Sequence, residues 1–146
     1  MFAKLFSKKT NAVKTELKKV ENRDLMQAII GGSILVAGAD GSLSEDEMIS
    51  LEKSIAANPS LAHFGSEIHQ ELGRFKQQLD VSFRIAKLSV MKELADIANT
   101  PDEAQECFVN CIVIAEADGE ICEQEMAILK EIGQALGQRL SDYGIE

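Results

Sequence analysis

Ala37-Gly-Ala39-Asp40-Gly41-Ser-Leu43-Ser44-Glu45-Asp-Glu47-Met48-Ile-Ser-Leu51 returns later in the chain as Ala115-Glu-Ala117-Asp118-Gly119-Glu-Ile121-Cys122-Glu123-Gln-Glu125-Met126-Ala-Ile-Leu129. Aligned without gaps, 8 of the 15 positions are identical, and Leu43 against Ile121 is conservative. Each copy reads as an apolar helix end, an Asp-Gly corner, a short turn, a pair of glutamates and a second apolar stripe. Glycine suits the left-handed position that ends a helix. Ser44-Glu-Asp-Glu47 is a capping box that opens the next one. A duplicated helix–corner–helix unit therefore decides the fold: an all-α single domain with an internal pseudo-twofold repeat.

Working outward, residues 25–39 carry no charge, a run of 15 that includes Gly31, Gly32 and Ser33. A membrane span needs roughly 20 residues, so this is read as a central helix buried on most sides. Asn58-Pro59-Ser60 breaks the helix whose stripe is Met48, Leu51 and Ile55. Ser66 is expected to cap a helix through Ile68, Leu72, Phe75 and Leu79, and Asp80 to start another through Phe83, Ala86, Val90, Leu94 and Ile97. Thr100-Pro101-Asp102-Glu103 has the form of a helix start, with proline at the first helical position. That helix runs to Ala117 and buries Cys107, Phe108, Cys111 and Ile112; a last one covers about 122–137. With an amphipathic segment at the N-terminus, the sequence predicts about seven helices. The organisation is 1–22 as a basic N-terminal helix, 23–140 as the helical domain and 141–146 as a tail. Within the domain, repeat copies 24–58 and 101–137 are joined by a helical hairpin, 66–98.

A chain of 146 residues with 45% apolar content is long enough for one core. Its net charge of −9 is uneven. Residues 1–20 hold six lysines against Glu16, a local charge of +5 that leaves −14 for the rest, and no basic residue occurs between Lys92 and Lys130. An acidic body excludes nucleic acid as the main partner, because phosphate contacts need cationic surface. It suits cations or basic protein surfaces. The N-terminal segment sets Phe2, Leu5 and Phe6 beside Lys4, Lys8 and Lys9, a pattern for an anionic membrane surface or for packing on the body. No secretory signal is read there, and Cys107, Cys111 and Cys122 are expected as reduced thiols in the cytosol. Without a C-x-x-C pair they are read as small buried apolar side chains rather than metal ligands.

The acidic corners are the chemical feature. Asp-Gly-x-aliphatic-x-x-x-Glu matches the second half of a calcium-binding loop, with Asp40 and Asp118 at the fifth position and Glu47 and Glu125 at the last. The first half does not fit: Val36 or Ile114 would fall on the first ligand position. An EF-hand is thus excluded, and a bound ion would complete its shell elsewhere. Oxygen ligands suit Ca²⁺ first, then Mg²⁺ or Mn²⁺, and Glu45 and Glu123 are adjacent candidates. The alternative is acidic turn chemistry, in which Glu47 caps with Ser44 and the first-turn glutamates meet the helix dipole. Cys122, a poor acceptor, stands where the first copy has serine. His63 and His69 have no Cys, Ser or Asp partner at telling distance, and no phosphate loop or nucleophile elbow is present, so no catalytic site and no small-molecule substrate are expected.

Together these features resemble the TerB tellurite-resistance family. The resemblance rests on the Ala-x-Asp-Gly corners, the Thr100-Pro101-Asp102-Glu103-Ala104-Gln105 start and the Glu131-Ile132-Gly-Gln-Ala-Leu136-Gly137 end. The basic N-terminal helix and the Phe75, Asp80, Phe83 segment are similar too, so roughly residues 2–140 are covered. It implies a seven-helix domain, metal-binding acidic patches and a stress-response scaffold without enzymatic activity. It also implies a place at the cytoplasmic face of the inner membrane, beside a TerC-like integral membrane protein. The acidic positions fall on Asp40, Glu47, Asp118 and Glu125. A metal-independent acidic adaptor, in phage defence or phage-borne, is the other reading.

Overall fold

A computed structural model describes residues 22–117 and 119–145. The N-terminal segment and Asp118 lie outside the described residues, and with them the expectations for Phe2, Lys4, Leu5, Phe6, Lys8 and Lys9. The described residues form six α-helices and no strand: α1 at 22–37, α2 Glu45–Ala56, α3 Ser66–Val81, α4 Phe83–Ile97, α5 Pro101–Glu116 and α6 Glu123–Leu136. Two 3₁₀ turns, Ala62–Phe64 and Leu140–Tyr143, complete them. The all-helical expectation holds for the described residues; the seventh helix expected, the N-terminal one, lies outside them.

The uncharged run becomes the axis of the molecule. Every residue of α1 from Ile29 to Val36 is buried, which explains why none is charged. Its small residues allow a neighbouring helix to approach closely at Gly32, where a Cβ would sit 2.7 Å from Cys111 Sγ on α5. α3 and α4 pack on each other as the predicted hairpin, while α6 packs on α4 and α5, and α2 on α3. Phe75 and Phe108 are the largest fully buried side chains of this mainly aliphatic core.

The repeat appears as two helix–corner–helix units, α1–α2 and α5–α6. Their corners hold Gly41 at φ +96° and Gly119 at φ +108°. No neighbouring atom would obstruct a Cβ at either, so the backbone angle alone asks for glycine there.

Four local details differ from the sequence reading. α4 begins at Phe83, after an extended Ser82, because Asp80 stays in the last turn of α3, where it accepts a hydrogen bond from Lys76 Nζ at 2.5 Å. Ser66 is the first residue of α3, and Gly65 at φ +56° precedes it. Thr100 holds the extended cap position before Pro101, but its hydroxyl makes no capping hydrogen bond. The residues after Leu140, which the sequence left without an element, pack on the domain: the Tyr143 ring lies edge-on to Phe108 at 5.4 Å.

Candidate functional site

The two corners share the bond that opens the helix after each of them. In the first, Asp40 Oδ1 accepts the Ser42 N–H at 3.1 Å, a turn that aspartate closes with its own side chain. Ser44 Oγ accepts the Glu47 N–H at 3.1 Å, and Glu47 Oε1 accepts the Ser44 N–H at 3.2 Å. This is the capping box read from the sequence. In the second, Glu125 Oε1 accepts the Cys122 N–H at 3.1 Å, so the glutamate half of the box is preserved. Cys122 Sγ takes the place of the serine hydroxyl over the Glu125 N–H, where sulfur is the weaker acceptor.

Tertiary packing then brings one side of each corner together. A groove of about 240 Å³ between α2 and α5 is lined by Asp46, Glu47, Ser50, Ser54, Ile114 and Glu125, with Ala37 and Leu51 beneath. Glu47 and Glu125, equivalent in the repeat, thus open onto one depression. Both bonds just described use Oε1, which leaves Oε2 of each carboxylate outside the box. Glu45 and Glu123, by contrast, are exposed first-turn residues away from the groove, and Asp40 is exposed at its own turn.

Asp46, Ser50 and Ser54 were not singled out from the sequence. Their signal is a polar stripe at four-residue spacing on one side of α2. The repeat does not carry that signal, because the counterpart of Asp46 in the second copy is Gln124.

The donors are all oxygen, which suits a hard cation. Among the described residues, however, no three His, Cys, Asp or Glu side chains are grouped to hold a metal ion. The donor set fits a cation that keeps much of its water and takes one or two carboxylates directly, not a closed protein cage. The buried thiols are separate from this site. Cys107 and Cys111 are in the core, whereas Cys122 is exposed, contrary to the reading of the cysteines as buried apolar side chains. A hydrogen bond with Cys111, and then burial, push the Cys107 thiol well above its ordinary range.

His69 is exposed and faces Glu52 at 2.5 Å, across a second depression between α2 and α3. No described helix is long and apolar enough to cross a membrane.

The model of the family described as tellurite resistance protein TerB matches residues 26–144 of the chain. Comparison with curated proteins and with solved structures gives no match.

Proposed function

The chain belongs to the TerB tellurite-resistance family, and from that premise we propose that it is a non-enzymatic stress-response scaffold whose α2–α5 groove takes a divalent cation. Glu47 and Glu125 supply one oxygen each, Asp46 adds charge, and water completes the shell. Asp40 shapes the first of the corners from which these helices start. The observation that carries the reading is that the two repeat-related glutamates line one groove. An ion there offsets repulsion between carboxylates of the two repeat units and stabilises the arrangement that holds them, by mass action. The scaffold would act at the cytoplasmic membrane face with a protein partner, of which a TerC-like integral membrane protein is the family's example.

Calorimetric titration with Ca²⁺, Mg²⁺ and Mn²⁺ tests the cation. Glutamine still accepts the backbone bond of a capping box, so Glu47→Gln/Glu125→Gln removes charge while keeping the fold. Wild type is expected to give heat and a raised Tm, and the double variant neither. Null heats for both proteins overturn the reading. Asp40→Asn/Asp118→Asn is expected to weaken binding less.

One observation favours a second reading, a metal-independent adaptor whose acidic face docks a basic protein: both glutamates already serve their capping boxes. Its signature is partner binding that weakens with salt and ignores chelator.

A further inference from the structure

Two exposed apolar faces lie apart from the carboxylates of the α2–α5 groove, and they are opposite in charge. The first is on α4, where Ile85 is 49% and Leu88 62% exposed. Arg84, one turn before Leu88, and Lys92, one turn after it, share that side of the helix and are exposed. Neither makes an ion pair among the described residues. Lys87 is different: it pairs with Glu131 of α6 at 2.7 Å and belongs to the fold.

The second face is on α5, where Val109 and Val113 are 38% and 55% exposed. Glu106 precedes them and Glu116 follows them at helical spacing, and Asp102 continues the row toward the start of the helix. None of these three carboxylates makes an ion pair among the described residues. No lysine or arginine occurs from residue 93 to residue 129.

The two faces match in spacing as well as in sign. Arg84 and Lys92 are about 12 Å apart along α4, and Glu106 and Glu116 about 15 Å apart along α5, a difference that long side chains bridge. In both helices the apolar residues lie between the charges. Laid together, Leu88 sits between Val109 and Val113, with a cation opposite an anion on either side. One molecule cannot make this contact with itself, because the sides of α4 and α5 that face the core carry Ala86, Val90 and Leu94 and Cys107, Cys111 and Ala115, and both charged faces point away from it. Between copies, α4 against α4 sets cations against cations, and α5 against α5 sets carboxylates against carboxylates. Like charges disfavour both of these two-fold contacts, and only unlike faces are complementary.

We propose that the α4 face, Ile85 and Leu88 between Arg84 and Lys92, binds the α5 face, Val109 and Val113 between Glu106 and Glu116, of a second copy of this chain. The contact is head-to-tail, so association continues into a ring or an open string. It uses neither Glu47 nor Glu125 and needs no cation, and thus goes beyond the function proposed above. A contact of two helix faces is small, so the association is weak and sensitive to salt.

Sedimentation equilibrium of the full chain tests this, in chelator, at low ionic strength and up to millimolar concentration. The weight-average mass is expected to rise with concentration to about twofold that of one chain or more, and to fall back in high salt. Leu88→Asn, a change at an exposed position, is expected to remove the rise. Two charge-swapped chains give the decisive comparison. Arg84→Glu/Lys92→Glu makes both faces acidic, and Glu106→Lys/Glu116→Lys makes both basic. Each alone is expected to stay monomeric, and an equimolar mixture to associate again. Both variants keep a net negative charge, so general attraction does not account for that recovery. A wild-type mass that stays at one chain throughout overturns the proposal; it is the result if residues 1–20 or an unlike protein take these faces. A rise that survives Leu88→Asn or either swap alone also overturns it, by placing self-association on another surface. So does a mixture that stays monomeric. With chelator present, none of these outcomes bears on the cation titration.

Discussion

Glu47 and Glu125 each accept the backbone N–H of the residue three positions before them, at 3.2 and 3.1 Å, and both line the groove between α2 and α5. The duplicated turn and the groove are thus two uses of the same pair of side chains. Each carboxylate is held in place by its own helix start, and the packing of the two units sets them around one space.

The unequal partners of those glutamates give a first prediction. Ser44 offers an oxygen to the N–H of its helix, Cys122 only a sulfur. Cys122→Ser is expected to raise stability by about 0.5–1 kcal/mol, and Ser44→Ala to lower it by about 1 kcal/mol. Urea denaturation checks both; a destabilised Cys122→Ser would mean that the thiol has another role.

Gly32 faces Cys111 with no room for a methyl group, a hypothetical Cβ lying 2.7 Å from the sulfur. Gly32→Ala is therefore expected to cost about 1–3 kcal/mol as overpacking, despite alanine's better helix propensity. The same change made in a Cys111→Ala background should cost much less. A double-mutant cycle from denaturation midpoints measures that coupling.

Glu103 supplies the pH prediction. Burial first, then the charges of Asp24 and Glu106, push its carboxyl above the ordinary value of 4.5. The folded chain keeps this proton to higher pH than the unfolded chain does, so its contribution to stability falls as pH rises through that window. At neutral pH the deficit is complete. Relative to wild type, Glu103→Gln should gain up to about 1 kcal/mol between about pH 3 and pH 7, a surface-scale effect. Thermal melts across that range measure it, and a gain independent of pH would contradict this account.

Thiol reactivity separates the cysteines. Cys122 is exposed, whereas Cys107 and Cys111 are buried, and Cys107 is held protonated by its neighbour and by burial. The thiolate is the reactive form, so the native chain should show one fast-reacting thiol and the denatured chain three. A colorimetric thiol assay with and without denaturant decides it.

Much of the domain was legible because it rests on local rules. The uncharged run 25–39 announced a helix buried all round, and α1 is that helix. Ser44 and Glu47 announced their capping box, and both bonds form. Local signals misled where two competed. Asp80 has the form of a helix start, yet its bond to Lys76 one turn back keeps it in α3. Thr100 has the form of a cap, yet only its position serves; its hydroxyl makes no capping bond. Asp46 stayed hidden because it is not repeated, and the groove could not be read from any single segment.

By itself the sequence determined the helices, the corners and their duplication, since periodicity, glycine at positive φ and capping chemistry act within a few residues of the chain. Only the tertiary structure decided that Glu47 and Glu125 share a groove, that Asp46 joins them, and that Val109 and Val113 remain uncovered beside it. Those relationships depend on how helices distant in the chain pack around α1, and packing is set by the fit of many side chains at once, not by any one motif.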